Sequence, residues 1–162
     1  MYTHLTSDQK TAISVDLDQA SMLAIKCDQL HNPLLFWFTK FYNRKDRAFV
    51  IPGRGSIPVD EESVYLTMGL PRGPIEVPYH ADYDIEADLA PDLFGDDGSR
   101  PKFSRVAELL VQYKQADNKF KRLWLAYITS TVLAPTMDTH ISNKIYPMLV
   151  SCFPFYLFHI IS

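Results

Sequence analysis

Residues 50–71, VIPGRGSIPVDEESVYLTMGLP, leave the backbone few choices. Pro52-Gly53-Arg54-Gly55-Ser56 brings two glycines just after a proline, and glycine takes positive φ at no steric cost. This predicts a reversal between a β-type run, Ala48–Ile51, and a short return, Ile57-Pro58-Val59. Pro58 restricts the return to an edge position. Asp60 then stands as the N-cap of a helix, with Glu61 and Glu62 at its positive end. Val59 and Val64 occupy the two positions of a hydrophobic staple. At the other end Gly69 suits the left-handed position, Leu70 folds back on Tyr65, and Pro71 prevents continuation. Start and stop signals on one short segment specify its shape locally.

Around this segment the sequence reads as helical. Asp18 is placed to cap a helix reaching about Leu30, carrying Met22, Leu23, Ile25 and Cys27. Pro33 fits the first turn of the next, 34–42, whose LLFWFTKFY is apolar almost all round and so is expected at the centre of the core. The NRKDR run at 43–47 closes it as a solvated loop. Ser104 and Asp117 are candidate caps for two later helices. In the second, Phe120, Leu123, Trp124, Tyr127, Ile128 and Thr131 follow a 3, 4, 7, 8, 11 spacing, one helical face. Lys119, Lys121 and Arg122 fall off that stripe, and Pro135 ends it. Ser142 starts a final turn toward Tyr146-Pro147. The expected fold class is α+β and predominantly α-helical: about five helices around an aromatic core, with a small antiparallel β element near 48–77. Residues 1–16 read as a flexible leader, 17–150 as a domain, and 151–162 as an atypical apolar tail.

Residues 73–98 look different. Ile75-Glu76-Val77 suits one strand. The segment then carries eight acidic residues, counted from Glu76, and no Lys or Arg before Arg100. Such a stretch is expected as a surface loop or flap.

Composition excludes several function classes. A net charge of −3 lacks the basic face of a general polyanion binder. The two cysteines, Cys27 and Cys152, give no disulfide framework, and the start of the chain lacks a signal-peptide pattern. A non-secreted, intracellular protein is the expectation. Asp82, Asp84, Glu86 and Asp88 alternate like calcium ligands, but an EF-hand loop from Asp82 requires Gly and Glu where Ala87 and Leu93 stand. Cys27 and His31 share a helix face, yet two ligands do not make a zinc site, and His4, His80, His140, His159 and Cys152 add no finger-like spacing. No flanking signature supports a nucleophilic cysteine. Gly53-Arg54-Gly55-Ser56 lacks the lysine of a phosphate loop and precedes a strand, so it reads as a turn. Lys119, Lys121 and Arg122 beside Trp124 and Tyr127 raise a nucleic-acid face, against the plainer reading of core aromatics with a wet basic edge. The uncharged run 145–162 is near the lower limit of a membrane span, but its prolines argue against one. Catalytic, cofactor and metal residues are therefore all read as none. The residues singled out are structural: Gly53, Gly55, Asp60, Val64, Gly69, Leu70, Pro71, Trp124 and Pro135.

Two ordered blocks carry a family resemblance. Gly53 to Val59, Val64 and Gly69-Leu70-Pro71-Arg72-Gly73 form the first. Phe120-Lys121-Arg122-Leu123-Trp124-Leu125, then Leu133 to Thr136, then Ile141 to Val150 form the second. Together they resemble the plant mobile domain, also labelled aminotransferase-like, in its grass transposon-derived form, over about residues 30–150. The resemblance implies a nuclear, non-enzymatic interaction module tied to gene silencing, genome stability or meristem development, with a protein partner. It also implies two alternatives: the orphaned N-terminal region of a protein bearing a ubiquitin-like-protein-specific cysteine protease domain, or a non-functional fragment. It does not imply a pyridoxal enzyme, since the Schiff-base lysine, pyridinium partner and phosphate cup have no recognisable counterparts. Residues 151–162 depart from the family pattern, which reads as a truncated copy.

Overall fold

The computed structural model describes residues 2–25, 32–70, 75–135, 138–151 and 158–159. Their architecture is α+β and predominantly helical, as expected. The helices are α1 (Ser7–Thr11), α2 (Asn32–Phe41), α3 (Glu61–Met68), α4 (Tyr83–Phe94), α5 (Phe103–Gln112), α6 (Asn118–Ile128) and α7 (Tyr146–Ser151), with short 3-10 and π turns after α1, α4 and α6. Strands β1 (Tyr42–Asn43), β2 (Ala48–Ile51) and β3 (Gly55–Pro58) form one antiparallel sheet in the order β1-β2-β3. A second pair joins β4 (Ile75–Glu76) to β5 (Phe158–His159) in parallel. The strand expected at 75–77 therefore forms as Ile75–Glu76 and pairs with Phe158–His159, not with the hairpin.

α6 is the centre of the core. Asp117 caps it by accepting from the Phe120 N–H at 3.1 Å. Phe120, Leu123, Trp124 and Ile128 of the expected stripe are buried, each such burial contributing roughly 1.5–3 kcal/mol. Leu125 and Ala126 are buried as well, so the helix is enclosed on more than one face. Its neighbours are Val106 and Leu110 of α5, Leu89, Ala90, Leu93 and Phe94 of α4, and Tyr146, Met148 and Leu149 from α7. Past Ile128 the chain tightens into a π turn, Thr129–Leu133, and exposed Pro135 follows Ala134.

Several expectations need correction. Residues 5–13, expected within a flexible leader, pack into the body. Thr6 and Gln9 close a reciprocal capping box on α1, and Leu5, Gln9, Ala12 and Ile13 are buried. The buried Gln9 amide donates to the carbonyls of Tyr113 and Gln115, satisfying groups at the end of α5. Its partners lie more than a hundred residues away, so no local pattern announces them. Asp18 is no helix cap; it sits at φ +50, and a 3-10 turn, Ala20–Ala24, follows. Ser104 is inside α5, whose cap position is Lys102.

The acidic stretch is largely helical. Asp82 caps α4 through the Ile85 N–H at 3.1 Å. Ile85, Leu89 and Leu93 recur every four residues, with Ala90 and Phe94 beside them, and this face enters the core. Asp84, Asp88 and Asp92 occupy the outer faces, and the exposed Pro91 lies within the last turn and a half of the helix.

α2 is misplaced by its composition. No described side chain of α2 or the sheet belongs to the main core cluster. The helix packs on β2, with Phe38 against Phe49 at 5.0 Å between ring centroids. It ends in β1, and the Asn43 side chain accepts from the Lys45 and Asp46 N–H groups to form the turn.

The hairpin and α3 form as read. Arg54 N–H donates to the Ile51 carbonyl at 3.0 Å across Pro52 and Gly53, and Gly53 has φ +71, a type II arrangement. Gly55 also has positive φ, at +106. Asp60 accepts from Ser63 N–H at 2.8 Å, and Gly69 takes φ +60 with its N–H on the Tyr65 carbonyl. A Cβ at Gly69 would also stand 3.3 Å from the Ser21 Cβ, a close approach the sequence does not show. Val64 packs against the core and Leu70 enters it, while Tyr65 stays largely exposed. Pro71 lies outside the described residues.

Candidate functional site

Two surfaces of the chain carry more than packing requires. The first is the lobe made by α2 and the three-stranded sheet. The register places Tyr42 opposite Phe49 and Phe49 opposite Ile57, so these three share one sheet face. Phe38 covers the middle of that row, and Trp37 leans on Phe38 and Phe41 at 5.3 and 4.7 Å. The outer members remain open: Phe36, Trp37, Tyr42 and Ile57 are between 39% and 65% exposed. Lys40 Nζ stands 4.6 Å over the Phe36 ring.

The second is a groove of about 270 Å³ between α4 and the turn after it, lined by Tyr83, Glu86, Ala87, Ala90, Pro91, Gly95, Gly98 and Ser99. Its walls are mostly apolar. Glu86 is the ionisable carboxylate among them, and its Oε2 is shielded from water without a hydrogen-bond partner. Beneath it, the Tyr146 hydroxyl donates to the Ser99 carbonyl. Burial pushes the Tyr146 phenol up, and the Glu86 charge acts in the same direction, so the hydroxyl stays protonated. Glu86 itself accepts nothing from it. A shielded carboxylate oxygen left without a donor costs free energy.

The residues singled out from the sequence do not converge. Gly53 and Gly55 turn the hairpin, Asp60, Val64 and Gly69 shape α3, and Leu70 and Trp124 lie in the core. Trp124 is fully buried and donates its indole N–H to Gln19 at 2.9 Å. Lys121, expected on a wet face, is buried and pairs with Asp16 at 2.6 Å. Lys119 reaches the Asp92 carbonyl and lies 3.9 Å from its carboxylate. Trp124 and Lys121 therefore take no part in the nucleic-acid face raised for α6, because both are engaged in internal contacts.

Calcium ligation by Asp82, Asp84, Glu86 and Asp88 is also at odds with the helix, where alternate residues point apart. Among the described residues no group of three or more His, Cys, Asp or Glu could hold a metal. Cys27, His31 and Cys152 lie outside the described residues, as does most of the apolar tail. Among the described residues no helix is long and apolar enough to cross a membrane.

Sequence reasoning missed the groove because it treated 73–98 as a loop. The available signal was the four-residue recurrence of Ile85, Leu89 and Leu93, which puts Glu86 beside the buried face of α4.

A family model described as a domain of unknown function (DUF8566) matches residues 1–152. The chain belongs to that family. The matched span takes in Leu5, Gln9, Ala12 and Ile13, which pack into the body. No curated protein matches the chain, and no solved structure does.

Proposed function

We propose that this chain is a non-enzymatic interaction module whose α2–sheet lobe contacts a protein partner. One observation carries the reading: a cross-strand row of large apolar side chains, Tyr42, Phe49 and Ile57, with Trp37 beside it, lies outside the main core and stays open at its rims. Aromatic anchors held on rigid backbone are the side chains that dominate protein contacts. A nuclear setting, linked to gene silencing or development, is proposed from the resemblance of Gly53 to Gly73 and Phe120 to Val150 to the transposon-derived plant mobile domain.

The test is affinity purification of the tagged full chain from plant nuclei, beside a Tyr42→Ser, Ile57→Ser double variant. A protein recovered with the wild type and lost with a variant of unchanged melting temperature supports the lobe as its contact. Equal recovery with both overturns it. A tagged chain that stays out of the nucleus overturns the nuclear setting.

A further inference from the structure

The α2–sheet lobe differs from the rest of the molecule in charge. Of the chain's 16 Lys and Arg, five lie within 32–58, beside one of its 19 Asp and Glu, so the lobe carries +4 on a chain of −3. Lys40 stands in the last turn of α2, Arg44, Lys45 and Arg47 in the turn from β1 to β2, and Arg54 in the turn from β2 to β3. The cations therefore stand at both ends of the strands that carry Tyr42, Phe49 and Ile57. All five are exposed. Among the described residues no carboxylate pairs with any of them, whereas Arg100, Arg105, Lys119 and Lys121 each meet one. The lobe's one acid, Asp46, accepts from the Asn43 side chain at 2.6 Å. Asp60, Glu61 and Glu62 follow beyond the sheet, at the start of α3.

We propose that the segment held by this lobe is an acidic peptide with bulky apolar side chains, an inference that rests on the lobe being the contact surface. The apolar side chains cover Trp37, Tyr42 and Ile57, and the carboxylates face Arg44, Lys45, Arg47 and Arg54. Apolar anchors supply the affinity, while the cations around them speed encounter and select the sign of the partner. A strand added at the β3 edge suits the lobe less. Val59 N–H donates to the Arg47 carbonyl, so the register turns the backbone groups of Ser56 and Pro58 outward, and proline brings no N–H. A nucleic-acid strand also suits it less. Ring surface on which bases would stack is partly taken, with Lys40 over Phe36, Trp37 against Phe41 and Tyr42 against Phe49. The rest of the chain is net acidic and repels a long polyanion.

The probe is a fluorescein-labelled peptide, GDEFEELIDEG, titrated against the full chain by fluorescence anisotropy at low salt. The expected result is saturable binding that the double variant Arg44→Glu, Arg54→Glu weakens about tenfold or more. Lys102→Glu, Lys144→Glu makes the same change in net charge on exposed residues outside the lobe, and changes binding less than roughly threefold. On the wild-type chain GNQFQQLINQG, with the anchors but no charge, binds about tenfold more weakly or worse, and so does GDESEESSDEG, with the charge but no anchors. These two peptides keep the test intact if the arginine variant folds poorly. The proposal is overturned by equal affinity for GDEFEELIDEG and GNQFQQLINQG, by an equal loss in the two lysine and arginine variants, which means bulk attraction alone, by oligothymidylate binding more tightly than the peptide, or by no saturation. If the charged and uncharged peptides bind equally and both need Tyr42 and Ile57, the acidic preference falls and the lobe reading stands. If GDEFEELIDEG binds undiminished to Tyr42→Ser, Ile57→Ser, the lobe is not its site and this proposal falls, while recovery of a nuclear protein still decides the lobe reading by itself.

Discussion

α2 and α6 are contrasting helices. α2 has one charged residue, Lys40, among ten, and reads as core material. α6 carries Lys119, Lys121 and Arg122 among eleven, yet seven of its residues are buried. The more polar helix is the enclosed one. α6 is surrounded by α4, α5, α7 and the N-terminal turns, so even Lys121 is buried and paired with Asp16. α2 has a three-stranded sheet on one side, which covers Phe38 and leaves Phe36 and Trp37 exposed. Burial is decided by how many elements surround a helix, and apolar content alone does not supply them.

The sharpest way to break this contrast is to remove residues 1–16. If they are part of the body, the shortened chain loses its cooperative melt, because Leu5, Ile13 and the Gln9 hydrogen bonds go together. A chain lacking them that still melts sharply would return them to the status of a leader. Next in size is a pair of tryptophan truncations. Trp124→Ala removes a buried indole and orphans Gln19, at a cost of about 3–5 kcal/mol. Trp37→Ala on the half-open lobe costs less than about 1.5 kcal/mol, mainly its ring contacts. Urea unfolding of both variants measures the difference, and equal losses would show that the lobe is as integral as the body.

The junction of the two regions is tested at Gly69. A valine there meets positive φ and the Ser21 Cβ, and is expected to lower stability by roughly 1–2 kcal/mol. Asp60→Ala, at the other end of α3, removes the Ser63 cap bond and costs about 1 kcal/mol. If the Asp60 variant loses more than the Gly69 variant, capping outweighs the close approach to the body.

The smallest expected effect is alkaline. The Tyr113 hydroxyl donates to Asp117 at 2.6 Å, and that bond is the main reason its ionisation is pushed up to about 12. A raised tyrosine value means its contribution is complete below the ordinary value of about 10 and is lost as pH climbs toward 12. For Asp117, burial opposes ionisation, but hydrogen bonds from Tyr113 and the Phe120 and Lys119 N–H groups outweigh it and hold the carboxyl below its ordinary value. Its contribution is present above that value and lost as pH falls through the folded one. Melting temperature against pH for wild type and Tyr113→Phe therefore differs on the plateau and converges by about pH 12. A gap that persists at that pH would assign the effect to packing.

Legibility follows interaction range. The α3 caps, the Gly53 turn and the α6 stripe were readable because each partner lies within a few residues, where spacing and backbone sterics decide. α4 was legible in principle through Ile85, Leu89 and Leu93, but its acidic residues drew the reading toward a loop. The candidate sites were least legible. Glu86 is unusual only because α7 brings Tyr146 beneath it and the Gly95–Asp97 turn, with Ser99 just beyond, closes beside it.

Local chemistry along the chain thus specified the helix-rich class, the hairpin and the ends of α3. Asp60 and Gly69 fix where that helix begins and ends, since each effect is a short-range steric or hydrogen-bonding one. Tertiary structure decided which apolar face is enclosed, that residues 5–13 belong to the body, and that Glu86 is left without a donor. Those outcomes depend on contacts such as Gln9 with Tyr113 and Trp124 with Gln19, each spanning more than a hundred residues. No local spacing encodes such contacts, because their free energy is realised only when the whole body has closed around α6.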